Sequence, residues 1–380
     1  MQKESLRIVH CFRSPVGGIF RHVRDLALEH AKAGHKVGIV CDSTTGGTFE
    51  DKLFDDIRPH LELGIIRMPI GRSIGPSDLR ALRSGYKKIK ELQPDVLHGH
   101  GAKGGAFARI IGSLLRANRY RVARLYSPHG GSLHFTESGM RGWIVFQIEK
   151  VLQRFNDATL FVSSYERDAY RKKIGRPGRL RIVYNGLSEQ EFEPVQPEPE
   201  QSDFLFIGML RDLKGPDLFI KAFAEAERKV GRPLSAIMIG DGPDEEKYRH
   251  YSTSHGLGRR IPIFPAVRQR IAFAKARTVI VSSRADALPY IVMEAIAAGL
   301  PVIAFAVGGI PEMLGRGNPA LVPPEDWKQL GRVMASSIDN KGWKASVMPD
   351  REMFHHRFSR ETMASDIMGV YREILSELAV

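Results

Sequence analysis

Arg211 and Lys214 follow the strand-like run Phe204 to Ile207 and stand just ahead of Pro216. Proline suits the first position of a helix, so both cations lie where a helix macrodipole already concentrates positive charge. A bound diphosphate would reverse that unfavourable sign, with Arg211 acting as a planar fork and Lys214 as a point charge. A solvated loop in which Asp212 partly neutralises Arg211 fits the same residues. Glu294 lies one to two turns inside an otherwise apolar, small-residue helix, Ile291 to Ala298. A carboxylate there is costly to bury unless it binds something, which favours a functional role. Asp286 stands ahead of that helix, where a capping anion is favourable, and taken alone it reads as a cap.

Gly17-Gly18 offers a further anion-binding chemistry. Adjacent glycines let backbone N–H groups approach a ligand, and the following helix presents its positive pole. The pair is not a GxGxxG fingerprint, and by itself it reads as a tight turn. His98, His100, His129 and His134 invite a metal reading. They fall on separate loops in the most basic part of the chain, whereas a metal site needs converging ligands without surplus cations. Hydrogen-bonding or packing roles are expected for them, and no metal. His129 is the exception, because Pro128 and Gly130-Gly131 fix its loop. No nucleophile elbow, P-loop or kinase signature is present. The two cysteines, Cys11 and Cys41, end consecutive strand-like runs and read as buried free thiols.

The elements that must position these residues alternate regularly. Strands are predicted at Leu6 to Phe12, Val37 to Cys41, Ile65 to Met68, Val96 to His98 and Val122 to Ser127, and helices at Phe20 to Ala33 and Leu79 to Leu92. Glu193 to Glu200 is a Pro-rich acidic segment that reads as a linker. Beyond it, strands are predicted at Phe204 to Ile207, Ser235 to Ile239, Arg260 to Phe264, Thr278 to Val281 and Pro301 to Ala304. Helices are predicted at Pro216 to Lys229, Asp244 to His255 and Glu361 to Leu378. Repeated strand–loop–helix units imply parallel sheets covered on both faces. In such sheets ligands bind beyond the carboxyl ends of the strands.

The chain of 380 residues is long enough for two domains. Its 56 Lys+Arg against 43 Asp+Glu leave a formal charge of +13, of which +10 belongs to residues 1–200. This surplus implies an anionic partner. In residues 79–90, Leu79, Leu82, Tyr86 and Ile89 recur at helical spacing beside Arg80, Arg83, Lys87 and Lys90, which fits either a solvated surface helix or an element lying on an anionic membrane. The start of the chain carries no apolar leader, and no uninterrupted apolar run approaches the roughly 20 residues of a spanning helix. A cytoplasmic protein with at most peripheral membrane contact is the expectation. A nucleic-acid binder would need an aromatic-and-basic recognition motif, which is missing, so no nucleic-acid partner is expected.

Taken in order, these segments resemble the family-4 (group 1) retaining glycosyltransferases of the GT-B fold over nearly the whole chain. The matching positions are Gly17-Gly18 with His22-Val23, Asp95 to His100, Ser127-Pro128-His129-Gly130, Val162-Ser163 with Glu166, and Val183-Tyr184-Asn185-Gly186. In the second half they are Gly208 to Arg211 with Lys214-Gly215, Ile239 to Pro243, Asp286 to Glu294, Ala297 to Val302, and Gly308 to Glu312. Two departures stand out: Asp286 replaces the first Glu of the family's Glu-x7-Glu pattern, and Ala287-Leu288-Pro289 replaces Gly-Phe-Gly. Donor-sugar contacts are therefore expected to differ from those of better-known members.

The resemblance implies an α/β fold of two Rossmann-like doubly wound domains facing a central cleft. Residues 1–192 would form the acceptor-side domain, 193–360 the nucleotide-sugar domain, and 361–380 a closing helix packing back on the first. The donor would be a nucleotide-diphosphate sugar, with no metal or other cofactor. Arg211 and Lys214 would hold the diphosphate, Glu294 the ribose hydroxyls, and Gly17 and Gly18 the phosphates from the opposite domain. Leu288, Tyr290 and Ile291 would complete the donor site. His129 and Asp286 would act at the transferred sugar, with His22 and His100 on the acceptor side. The acceptor would be a lipid-linked or growing cell-surface glycan, and transfer would retain anomeric configuration by front-face attack. The alternatives are a GT-B-fold nucleotide-sugar epimerase and a non-catalytic polyanion binder.

Overall fold

The computed structural model describes residues 5–72, 75, 77–135 and 139–378, without the side chain of His134. Contacts divide the chain into two units, Met1–Gly186 with Arg360–Val380, and Leu187–Ser359.

In the first unit the described residues form a parallel sheet of β1 (Arg7–Phe12), β2 (Lys36–Asp42), β3 (Gly64–Met68), β4 (Val96–His100), β5 (Ala123–Ser127), β6 (Ala158–Phe161) and β7 (Leu180–Ile182). Their order is β3-β2-β1-β4-β5-β6-β7. Successive strands are joined by α1 (Gly17–Lys32), α2 (Thr48–Ile57), α3 (Ser77–Glu91), α4 (Gly101–Ala117), α5 (Met140–Leu152) and α6 (Ser164–Lys173). Alternate strand residues point to opposite faces. Ile8 and Val96 pack with Leu26 of α1, whereas Val9 and Leu97 pack with Ala81 of α3 and Phe107 of α4.

The second unit holds β8 (Ser202–Ile207), α7 (Pro216–Val230), β9 (Ala236–Ile239), α8 (Glu245–Ser254), β10 (Ile263–Phe264), α9 (Gln269–Ala274), β11 (Ala276–Val281), α10 (Tyr290–Ala297), β12 (Val302–Phe305), α11 (Ile310–Leu314) and β13 (Leu321–Val322). Its parallel sheet has the order β10-β9-β8-β11-β12-β13. The helices α12 (Trp327–Asp339), α13 (Trp343–Val347) and α14 (Arg351–Phe358) complete it. The last helix, α15 (Arg360–Glu377), buries Met363, Ile367, Tyr371 and Ile374 against Leu6 and against Ile8, Val96 and Leu125 of the first sheet.

The division falls at Gly186–Leu187 rather than at 192–193. Leu187 N–H donates to the Phe358 carbonyl at 2.7 Å, and Leu187 bridges Ser359. The Pro-rich segment is not a free linker either: Val195 N–H bonds Ala298 and Glu198 N–H bonds Ala274, which fastens it to the second unit.

The first turn of α4 lies directly on the sheet. A Cβ on Gly104 would stand 2.3 Å from the Cys11 carbonyl oxygen, and one on Gly105 would stand 2.2 Å from the Tyr126 ring. Just below, Arg109 is fully buried with Glu149 of α5 at 2.9 Å, and Tyr126 donates to the same carboxylate at 3.0 Å. The Arg109 guanidinium also lies 4.0 Å from the centroid of the Tyr126 ring. Cys11 and Cys41 are buried and free, and desolvation pushes both thiols up to about 12.

Beside this core, His10, His22, His30, His98 and His100 are buried. Desolvation holds each of them below the ordinary imidazole range, His22 at about 4 and His30 at about 3.

Two predictions follow from the packing and burial. Gly104→Ala forces backbone apart and should cost about 1–3 kcal/mol in urea-denaturation stability. The histidines stay neutral when folded, so below pH 6.5 the unfolded chain takes up protons that the folded one refuses. Stability should therefore be complete above pH 6.5 and fall as the pH is lowered towards 4, by about 1.4 kcal/mol per pH unit for each such group. In urea titrations at pH 7, 6 and 5, His30→Gln should flatten that slope by one group's share.

Candidate active site

The residues singled out in the second unit gather at the carboxyl ends of β8 and β11. These strands are neighbours although distant in sequence, because β9 departs to one side of β8 and β12 lies on the far side of β11. This switch point is where open α/β sheets leave a crevice for ligands.

Arg211 precedes a 3-10 turn, Asp212–Lys214, in an extended conformation, and it is exposed. Asp212 does not neutralise it: that carboxylate accepts from Lys247 at 2.6 Å and from Tyr248 at 2.5 Å. Among the described residues the Arg211 guanidinium has no carboxylate partner. Lys214 donates to Asp286 at 2.5 Å, with both side chains partly exposed. Asp286 therefore is not the helix cap that its position suggests. Pro289 holds the N-cap position of α10 and makes no side-chain cap bond, while the Asp286 carboxylate reaches back across the sheet to the β8 loop.

The two loops are fastened by main chain. Gly215 has φ 67°, and a Cβ there would stand 2.0 Å from the Ser282 carbonyl oxygen. Ser282 Oγ donates to the Gly215 carbonyl at 2.7 Å, and Arg284 N–H to the Leu213 carbonyl at 2.9 Å. Arg284 also forks onto Asp217 at 3.0 and 2.7 Å. Glu294 is buried on the second turn of α10, and Leu288 is buried ahead of it. Tyr290 and Ile291 are half-buried on the first turn.

In the first unit the histidines expected to act separately are one cluster. Parallel register sets His10 beside His98, and His98 and His100 share a face because they are two residues apart. His129 Nε2 meets His100 Nδ1 at 3.0 Å, and His100 Nε2 meets His10 Nδ1 at 3.0 Å. His98 lies between Tyr371 Oη at 2.7 Å and Ser127 Oγ at 2.8 Å. His22 meets Asn185 Oδ1 at 3.0 Å and packs edge-on to His129, ring centroids 4.6 Å apart. His22 and His100, expected on the acceptor side, are thus buried behind the half-buried His129 and touch it directly.

Two trios, His10 with His98 and His100, and His22 with His100 and His129, bring one ring nitrogen each within 4.8 Å of the others. They are the described residues that could gather a metal, although hydrogen bonds already engage both nitrogens of His98 and of His100. Gly17 opens α1 with φ 67°, no acidic residue follows in the first turn, and both Gly17 and Gly18 are exposed.

Glu166 was present in the motif without a role. It is buried, and its two oxygens accept from Gly130 N–H at 2.5 Å and Val162 N–H at 2.9 Å. Burial pushes its carboxyl up to about 7, against the opposing pull of those two donors. The bond to Gly130 steadies His129, a non-glycine residue held at φ 51°. His10 has no such signal in the sequence, because it reaches His98 only through the register of β1 against β4.

Comparison with known proteins fits this architecture. The family model for glycosyltransferase family 4 matches residues 16–191, and that for glycosyl transferases group 1 matches residues 188–354. An uncharacterised glycosyltransferase of Methanocaldococcus jannaschii is 22% identical over 94% of this chain and 95% of its own. The D-inositol 3-phosphate glycosyltransferase of Corynebacterium glutamicum is 23% identical over 95% and 92%. The structure of Anabaena HepE with UDP and glucose superposes with a TM-score of 0.76 at 18% identity, covering 96% of this chain and 99% of that one. With two family models spanning successive halves and this shared architecture, the chain belongs to the family-4, group 1 glycosyltransferases and has their GT-B fold.

Proposed function

We propose that this glycosyltransferase moves a sugar from a nucleotide-diphosphate sugar to a lipid-linked or growing cell-surface glycan, with retention of anomeric configuration. The observation that carries the reading is the cationic pair Arg211 and Lys214 at the β8–β11 switch point, with the guanidinium unpaired by any carboxylate among the described residues. Breaking the bond between the anomeric carbon and the diphosphate builds negative charge on the leaving group. Preorganised cations stabilise that charge in the transition state more than in the ground state. Lys214 would exchange part of its bond to Asp286 for the diphosphate, leaving Asp286 near the sugar. Glu294 would accept from the ribose hydroxyls, with Leu288, Tyr290 and Ile291 around the donor and the N–H groups of Gly17 and Gly18 towards its phosphates.

His129 would contact the transferred sugar. The acceptor hydroxyl would attack the face from which the diphosphate departs, and a diphosphate oxygen would take its proton. This route needs no carboxylate nucleophile of the kind retaining glycosidases use, and neither a metal nor another cofactor enters it. UDP is the first nucleotide to test, since the HepE structure was obtained with it. We place the protein at the inner face of the cytoplasmic membrane, in peripheral contact with anionic lipid through residues 79–90. None of its described helices is long and apolar enough to cross a membrane.

Thermal-shift measurements with UDP, GDP and ADP and their sugars should single out one nucleotide, with about 2.7 kcal/mol of stabilisation at a hundredfold excess over Kd. Arg211→Ala, Lys214→Ala and Glu294→Ala should each lower transfer about 100-fold or more while leaving the urea midpoint close to wild type. Wild-type activity in all three would overturn the site. Transfer requires an added acceptor; an isomerised nucleotide sugar formed without one would make the protein an epimerase instead.

A further inference from the structure

Helix α5 is apolar on two sides. Its inward side carries Leu152, buried, and Phe146, which packs with Tyr126 of β5, Phe161 of β6 and Tyr170 of α6. Glu149, its one carboxylate, also turns inward to Arg109 and Tyr126. Its outward side repeats large hydrophobic residues at positions 140, 143, 144, 148 and 151, and the stripe continues to Phe155 in the following 3-10 turn. Met140 is 78% exposed, Trp143 60% and Val151 54%, and Ile144, Ile148 and Phe155 are exposed as well. At helical rise the stripe is about 20 Å long. Single exposed hydrophobic residues are ordinary, but an aligned run of six is not.

The cations around this stripe say what covers it. Arg141, Lys150 and Arg154 are exposed beside it, with no carboxylate partner among the described residues. No acidic side chain of α5 shares the outward side. Helix α3 lies on the same face of the sheet, separated from α5 by α4, since α3 and α4 pack on Val9 and Leu97 while α5 packs on Tyr126. Beyond Leu79, which is exposed, the apolar residues of α3 turn inward, Ala81 and Ile89 buried with Leu82 and Tyr86 packed beside them. That leaves Arg80, Arg83, Lys87 and Lys88 in solvent. One face of the first unit therefore carries an apolar stripe and, one helix away, a row of free cations. An anionic bilayer surface offers the complement to both: acyl-chain boundary for the stripe and phosphate for the cations, with lysine and arginine stems reaching up to the headgroups.

We propose that α5 is the membrane-docking element of this protein, lying in the plane of an anionic leaflet with Met140, Trp143, Ile148 and Val151 below the headgroups. Helix α3 supplies electrostatic attraction rather than insertion. The inference deepens the membrane contact of the proposed function by naming its surface, and it can be read without any turnover.

The test uses the full chain with vesicles of phosphatidylcholine alone or with one third phosphatidylglycerol. The protein should sediment with the anionic vesicles at low salt, and Trp143 fluorescence should shift to the blue. Trp143→Ser with Val151→Ser should weaken binding by about tenfold or more. Lys150→Glu with Arg154→Glu should reduce the preference for phosphatidylglycerol, the cations of α3 keeping the remainder. Both variants should keep the wild-type thermal shift with nucleotide, so loss of docking and failure of the donor site are separate results. Absence of sedimentation at low salt, or binding unchanged in both variants, would overturn the proposal. So would a dimer in sedimentation velocity that the Trp143 and Val151 substitutions disperse, which would assign the stripe to a second copy.

Discussion

The first unit is organised by imidazoles kept away from water. A buried imidazolium loses hydration that nothing nearby restores, so these rings are neutral, and a neutral ring has one donor nitrogen and one acceptor nitrogen. His100 can therefore donate to only one of its neighbours, His10 or His129, and must accept from the other. His98 is committed in the same way between Tyr371 and Ser127. Along His10, His100 and His129 each ring fixes the tautomer of the next, and with the bonds of His98 they tie β1, β4, β5 and the last helix together. His129 is the solvent-facing end of this chain, and its left-handed backbone is steadied from behind by Glu166.

The second unit solves a different problem, that of keeping two cations together with a single carboxylate between them. Carboxylates take up the neighbours that could otherwise compete: Asp217 holds Arg284, and Asp212 holds Lys247. Backbone contacts through Gly215 and Ser282 then fix the spacing of the β8 and β11 loops. Such a loop pair resists the repulsion between Arg211 and Lys214 by its covalent and hydrogen-bonded frame, with Asp286 countering one of the two charges. Fixed dipoles and charges of this kind need little rearrangement when a charged ligand develops further charge.

Much of this was legible in the sequence, because alternation of apolar runs with amphipathic stretches reports parallel strands and their crossover helices directly. The carboxyl-end rule led to Arg211, Lys214 and Glu294, whose residue types conflict with their local surroundings. What eluded sequence reasoning depends on register between distant strands. That His10 pairs with His98, and that His129 reaches the same place, are consequences of strand order rather than of spacing along the chain. Asp286 looked like a cap because its tie to Lys214 spans three crossovers. The division between units moved for a similar reason: a proline-rich composition signals extended chain, but not whether that chain lies free or against a neighbour. In residues 79–90 the periodicity was real, yet Leu82, Tyr86 and Ile89 described the inward side of α3 and only Leu79 is exposed; the outward apolar stripe belongs to α5, where both sides are apolar and the period is blurred.

Gly308 has φ 58°, and a Cβ there would stand 1.5 Å from the Asp286 carbonyl oxygen; next to it, Gly309 N–H donates to the Ala287 carbonyl at 2.8 Å. The loop after β12 thus rests on the backbone of the segment that departs from the Glu-x7-Glu pattern. Neither glycine has a side chain that could absorb a change in its neighbour. A shift of the 286–289 backbone would therefore be felt directly at 308–309, and a graft that replaces one loop has to carry the other with it.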